Sequence, residues 1–338
     1  MDKQINKNNM IKRLLFLLLF PLTLFSCISE GEMNCGGSLR LLLRYSDEIR
    51  SSRVYIFDSQ TGILEDVISV AEPDIARGYI DVEGINEGFY TIIAWGGSSS
   101  NMLQGGYMDA TVTNPAINTF APVTIGTTTL DNFRMMLAYD PLTGNPVAEV
   151  APKVSDFDDL FYAIAENISV VNNSHQVIDL PFIKNTSTLR ITVTGIQHLR
   201  STMPVDIFTT GRNWLYRYNN TPAANTPRML FLPQSETLTA NNTMEIFIRQ
   251  QRLYINQSAA DRVMLYVQDP ATGADIMAPL DLIAAIMQNP AYQTQQAIDR
   301  EDLFEMTISI PSPGDSGDLT VTITINGWEV VILDATPV

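Results

Sequence analysis

The chain has 338 residues, 45% of them hydrophobic, and a formal charge of −16 at pH 7. That length and apolar content suffice for two domains with real cores and exclude a disordered stalk. The acidic balance argues against nucleic acid and against a purely electrostatic hold on anionic lipid.

Lys3, Lys7, Lys12 and Arg13 form a basic start, and residues 14–25 are almost wholly apolar. This is a signal-peptide layout, too short to span a bilayer as a helix. Leu24-Phe25-Ser26-Cys27 resembles a bacterial lipobox, with Phe25 looser than the usual pattern. The resemblance implies cleavage between Ser26 and Cys27, a thioether-linked diacylglycerol on Cys27 and acylation of the new amine. Several acyl chains make a stable anchor where one is marginal. Losing residues 1–26 removes four positive charges and one negative one, taking the formal charge from −16 to −19. Cys35 is the second of two cysteines. A lipid on Cys27 therefore leaves it a free thiol. Ser29, Glu30 and Glu32 resemble a short export signal for display on the cell surface.

Beyond residue 37 the dominant period is two, that of strands. Strands are expected at 38–45, 53–58, 88–97, 133–140, 189–195, 244–250, 262–269, 303–310 and 319–325. In the last, Leu319, Val321, Ile323 and Ile325 share one face and threonines the other. FDSQTG, YDPLTG and QDPATG each follow a strand. Their leading Asp58, Asp140 and Asp269 bond back to turn amides, and Gly62, Gly144 and Gly273 tolerate positive φ. No run of spaced carboxylates makes these calcium loops. DLIAAIMQN (281–289) is the best helix, capped by Asp281 and stopped by Pro290. SDFDDLFYAIAE (155–166) reads either as a short helix or as the run-in to a strand. Many short strands with Gly, Pro and Asn turns predict an all-β chain of two tandem β-sandwiches. The divisions are a signal peptide 1–26, a lipidated linker 27–37, one sandwich 38–172 and a second 173–338.

Candidate chemistry is sparse. His175 and His198 lack metal-ligand spacing, and no zinc or phosphate-loop motif occurs, so no metal, cofactor or small-molecule substrate is expected. GDSGD (314–318) looks like the surroundings of a serine nucleophile, Ser316, but its flanks make it the loop of a hairpin. Asp156, Asp158 and Asp159 read as a solvated acidic loop or helix start rather than a glycosidase pair. Trp95, Trp214 and Trp328 are too scattered for a sugar platform. No catalytic constellation stands out, and the chain is not read as an enzyme.

Several pieces in order resemble the FimB/Mfa-type fimbrial anchor lipoproteins, the minor subunits at the base of type V pili. They are the lipobox with a second cysteine shortly after, SLRLLLRY, VYIFDSQTG, GINEGFYTIIAWGG, DDLFYAIAE and the closing LTVTITINGWEVV. Ala163 departs from a frequent glycine in that family. The resemblance implies two transthyretin-like β-sandwiches, a surface-exposed protein held by lipid in the outer membrane, and a pilus shaft subunit as partner.

The mechanism expected is strand addition, in which a neighbour's strand fills an open sheet edge. The partner-strand region is placed at Leu39, Leu41 and Leu43 or at Leu319, Val321, Ile323 and Trp328, with ordinary core strands as the alternative reading of both. Two other functions stay open. One is a shaft or tip pilin that loses its first strand by proteolysis after Arg50 or Arg53. The other is a surface glycan-binding lipoprotein.

Overall fold

The computed structural model describes residues 36–44, 48–97, 103–107, 121–137, 153–154, 157–196, 205–223, 226, 228–239, 242–255, 258, 261–310 and 322–331. Ser26, Cys27, Cys35, Asp156, His198, Ser316, Leu319, Val321 and the turn at Asp140 lie outside them.

Five sheets form among these residues. In the first, β1 (Gly37–Arg44) runs between β4 (Tyr79–Ile85), antiparallel to it, and β11 (His175–Pro181), parallel to it. The second has the order β12 (Ile183–Lys184), β10 (Leu160–Val170), β5 (Gly88–Gly97), β2 (Ser51–Asp58), β3 (Leu64–Val70). These two sheets pack face to face over Leu39, Leu41, Val54, Ile56, Ile92 and Leu180. The short helix α1 (Asp74–Arg77) adds Ile75 to that core.

A third sheet covers the other face of the second. Its order is β15 (Leu215–Arg217), β8 (Phe133–Leu137), β6 (Leu103–Tyr107), β7 (Ala121–Pro122). Tyr55, Phe57, Ile93, Trp95, Phe133 and Tyr216 meet in this layer. A sheet covered on both faces needs apolar side chains at every position rather than at alternate ones. That is why VYIF in β2 and TIIAWGG in β5 are buried without a break. The expected all-β sandwich is present, and a third sheet lies over its outer face.

The second sandwich pairs two larger sheets. One has the order β17 (Ser235–Leu238), β18 (Met244–Gln251), β13 (Thr186–Thr194), β21 (Leu303–Ser309), β22 (Thr322–Ile325), β23 (Trp328–Val331). The other has β20 (Leu280–Asp281), β19 (Met264–Gln268), β14 (Asp206–Gly211), β16 (Met229–Phe231), β9 (Lys153–Val154). Here the alternation is clean. Leu189, Ile191 and Val193 enter the core with Ile246, Ile248, Met306 and Ile308, and the polar residues between them face out. The helix α2 (Leu282–Ile286) closes one side. Its cap is Asp281, whose Oδ1 accepts from Ala284 N at 3.0 Å. A 3-10 turn at Pro290–Tyr292 and the helix α3 (Gln295–Asp299) follow.

The turns at Asp58 and Asp269 form as their residues dictate. Asp58 Oδ1 accepts from Gln60 N at 2.8 Å and from Thr61 N at 2.7 Å, and Gly62 takes φ +70. Asp269 Oδ1 accepts from Ala271 N at 2.8 Å, with Gly273 at φ +69. The stretch left open between helix and strand is extended: it becomes β10, because Phe161 and Ala163 face one core and Leu160 and Tyr162 the other. Relative to a division at residue 172, β11 lies beyond it yet pairs with β1. The chain passes from the second sheet to the second sandwich between β12 and β13.

Candidate functional site

The first candidate region is β1. Leu39, Leu41 and Leu43 point inward and are fully buried, and the residues between them face out. On the outer face Arg40 grips Asp81 of β4 through two bonds, 2.7 and 3.0 Å. Arg44 holds Asp179 of β11 at 2.8 Å. Ser38 Oγ lies 2.9 Å from His175 Nδ1, so His175 is a surface residue beside β1. Each leucine contributes roughly 1.5–3 kcal/mol by burial, while the exposed ion pairs add little.

The entry to β1 is equally tight. A Cβ at Gly36 would stand 2.6 Å from the Ile85 carbonyl oxygen, and one at Gly37 would stand 2.5 Å from Val170 Cγ1. Only glycine lets the chain arrive between the ends of β4 and β10. Both flanks of β1 are hydrogen-bonded, so it offers no edge, and an added strand would have to displace β4 or β11.

The second region is the hairpin β22–β23. Ile323 pairs with Ile308 of β21 on one side and Val330 of β23 on the other. Asn326 at φ 47 and Gly327 at φ 75 form the two-residue turn, whose positive φ values suit the strand twist. The turn is pinned to its neighbours: Asn326 Oδ1 accepts from Glu305 N at 2.7 Å, and Asn326 Nδ2 donates to Tyr292 Oη at 2.6 Å. Trp328 pairs with Ile325 and therefore shares its face, yet Ile325 is fully buried and Trp328 is 44% exposed. Among the described residues β23 has one neighbouring strand.

The other candidates fall elsewhere. Trp95 and Trp214 are core residues that cannot stack on a sugar. Arg50 is exposed just ahead of β2, and its N–H donates to the Gly97 carbonyl at 2.9 Å. Arg53 lies inside β2, opposite Ser69 of β3 and Trp95 of β5.

Asp159 corrects the reading of a solvated acidic loop. Its carboxylate is bound by Arg249 of β18, by Thr186 Oγ1 at 2.7 Å and by Lys184 at 3.3 Å. Lys184 also reaches Glu48 at 3.0 Å. Burial pushes the Asp159 carboxyl up, but Thr186, Arg249 and Lys184 together hold it below the usual value. Beside this cluster, Asn220 Nδ2 donates to Asn185 Oδ1 at 2.8 Å, and Arg252 forks onto Asp299 at 2.8 and 2.6 Å. These groups stitch the crossing segment to both sandwiches. Spacing in sequence did not signal them, because Asp159 and Arg249 are 90 residues apart. Among the described residues no group of three or more His, Cys, Asp or Glu could hold a metal. Nor is any described helix long and apolar enough to cross a membrane.

A family model described as "Fimbrillin-A associated anchor proteins Mfa1 and Mfa2" matches residues 32–334. No curated protein sequence matches the chain. Among solved structures it is similar to the fimbrial anchor protein Mfa2 from Porphyromonas gingivalis, at 18% identity and TM-score 0.65, over 88% of this chain and 99% of that one. A candidate adhesin from Bacteroides ovatus shares 17% identity at TM-score 0.66, over 88% and 95% of the two chains. A candidate polysaccharide-binding protein from Bacteroides thetaiotaomicron shares 16% at TM-score 0.67, over 89% and 99%. At such identities the likeness is one of fold.

Proposed function

The chain belongs to the family of fimbrillin-A associated anchor proteins Mfa1 and Mfa2, and from that membership we propose that it fastens the base of a pilus to the outer membrane. The lipid sits on Cys27 after cleavage behind Ser26, and the adjacent shaft subunit is held by strand addition. The role is structural, with no catalysis and no small-molecule substrate.

One observation supports a permanent anchor above all. β1 begins ten residues after Cys27 and is the middle strand of its sheet, sealed by Leu39, Leu41 and Leu43. Tension on the filament therefore reaches the lipid through a strand that is paired along both sides and cannot peel from an edge. A subunit that gave up this strand would open the core between β4 and β11.

The test is the mature N-terminus of the protein from intact cells, read by mass spectrometry. An acylated Cys27 peptide on a chain that still carries β1 is the expected result. A new terminus at Ser51 or Val54, with the lipid lost, would overturn the anchor in favour of a polymerising pilin.

A further inference from the structure

We infer that the outer edge of β23 is where the partner's strand docks, and that this strand sets an apolar residue in line with Trp328 and a basic residue beside it, across from Glu329. The inference rests on the anchor reading and names the site and the chemistry of its partner.

A sheet edge invites pairing unless it is blunted, and most edges here are. β7, β9, β12 and β20 are each two residues long. β11 ends in a proline, β17 is a short polar strand, and β4 alternates with Asp81 and Glu83. β3 carries Glu65 and Asp66 and pairs through a bulge. β23, reading Trp-Glu-Val-Val, is also short and carries one acidic residue, but it has neither proline, lysine nor bulge, and its tryptophan and valines favour extended backbone.

Among the described residues the core face beside it is also incompletely covered. Its sheet has six strands and the facing sheet five. Ile325 of β22 is sealed, while Trp328, one strand further out on the same face, is 44% exposed. An added strand would continue the hydrogen-bond ladder and set an apolar side chain in line with Trp328. Only extended backbone can satisfy a row of edge N–H and C=O groups, so the occupant is a peptide strand.

The opposite face sets the middle residue. Glu329 pairs with Thr324, on the face that also carries Thr307 of β21. Among the described residues Glu329 has no ion-pair partner, so a lysine or arginine directly across would complement it.

The experiment places a photo-crosslinking residue at position 329 of the full-length chain in cells that bear fimbriae, with a second such chain probed at Asp66 on the β3 edge. Crosslinked peptides are identified by mass spectrometry. The expected result is a crosslink from position 329 to an extended segment of the shaft subunit in which a basic residue adjoins an apolar one. Trp328→Ala should lower its yield by about tenfold, and Glu329→Arg should lower it as well. Crosslinks into residues 311–321 or 332–338 of the same chain would mean that the protein covers its own edge, and would overturn the inference. So would a shaft subunit captured from position 66 and not from position 329, with the anchor reading left standing. If cells lacking the chain keep their fimbriae as firmly attached as the parent cells do and no position captures a subunit, both readings fall.

Discussion

At the scale of single residues, Asp159 carries the most consequence for how the halves hold together. Its folded pKa is depressed by Thr186, Arg249 and Lys184 in spite of burial. A depressed carboxyl contributes stability that is fully present above its unfolded value, about 4, and is lost as pH falls through the folded value. Asp159→Asn keeps the shape and discards the charge, leaving Arg249 and Lys184 short of a partner. We expect a loss of roughly 1–3 kcal/mol at pH 7 and a shallower decline of stability below about pH 4 than in the parent. Urea unfolding between neutral and acid pH measures both. Parallel declines in the two proteins would show that the carboxylate is not the group that titrates. Gly36 and Gly37 matter differently, since any side chain there would collide with the β4 backbone, or with the Val170 side chain and the Val171 carbonyl.

At the scale of elements, the fate of β1 turns on two arginines. A protease must draw several residues into an extended cleft, which a strand paired on both sides resists. Arg53 is such a position, between β3 and β5. Arg50 is exposed ahead of β2, tethered by the bond to Gly97 and by the burial of Ile49. Brief trypsin treatment of the folded protein should therefore leave the bond after Arg53 intact. Any molecules cut after Arg50 should keep β1 through size-exclusion chromatography and release it only in denaturant. Cleavage after Arg53 at native pH, or free β1 peptide without denaturant, would show the first strand to be far less secure than its pairing and three leucines imply.

At the scale of the whole molecule, the two sandwiches are interlocked. β15 from the second half pairs with β8 of the third sheet, and β9 from the first half pairs with β16. Tyr216 and Tyr254 share a core with Trp95 and Tyr162, and Tyr162 Oη donates to the Tyr218 carbonyl at 2.9 Å. Such a chain should unfold by heat in one cooperative transition, because neither half closes its core alone. Scanning calorimetry of the full chain, and of segments 36–181 and 182–338 made separately, checks this. Two resolved transitions, or a segment that folds by itself, would make the halves independent beads. An interlocked body offers no compliant hinge between its two halves.

By itself the sequence determined most strands, both Asp-led turns that the structure describes and the capped helix at Asp281. These depend on neighbours within a few residues: side chains alternate across a strand, and an aspartate reaches only the amides just ahead of it. Only the tertiary structure decided that β1 is central and held by β11, some 130 residues later. It alone decided that Trp95 and Trp214 are core and Trp328 is not, and that β2, β5 and β10 lie between two other sheets. The unbroken apolar runs VYIF and TIIAW were legible as strands, but not as strands with a layer on each side. A pattern of burial records that a face is covered, while what covers it comes from chain far away. The pairing of Asp159 with Lys184 and Arg249 was hidden for the same reason: ion pairs across a sandwich junction follow from how sheets stack, and local spacing carries no trace of that.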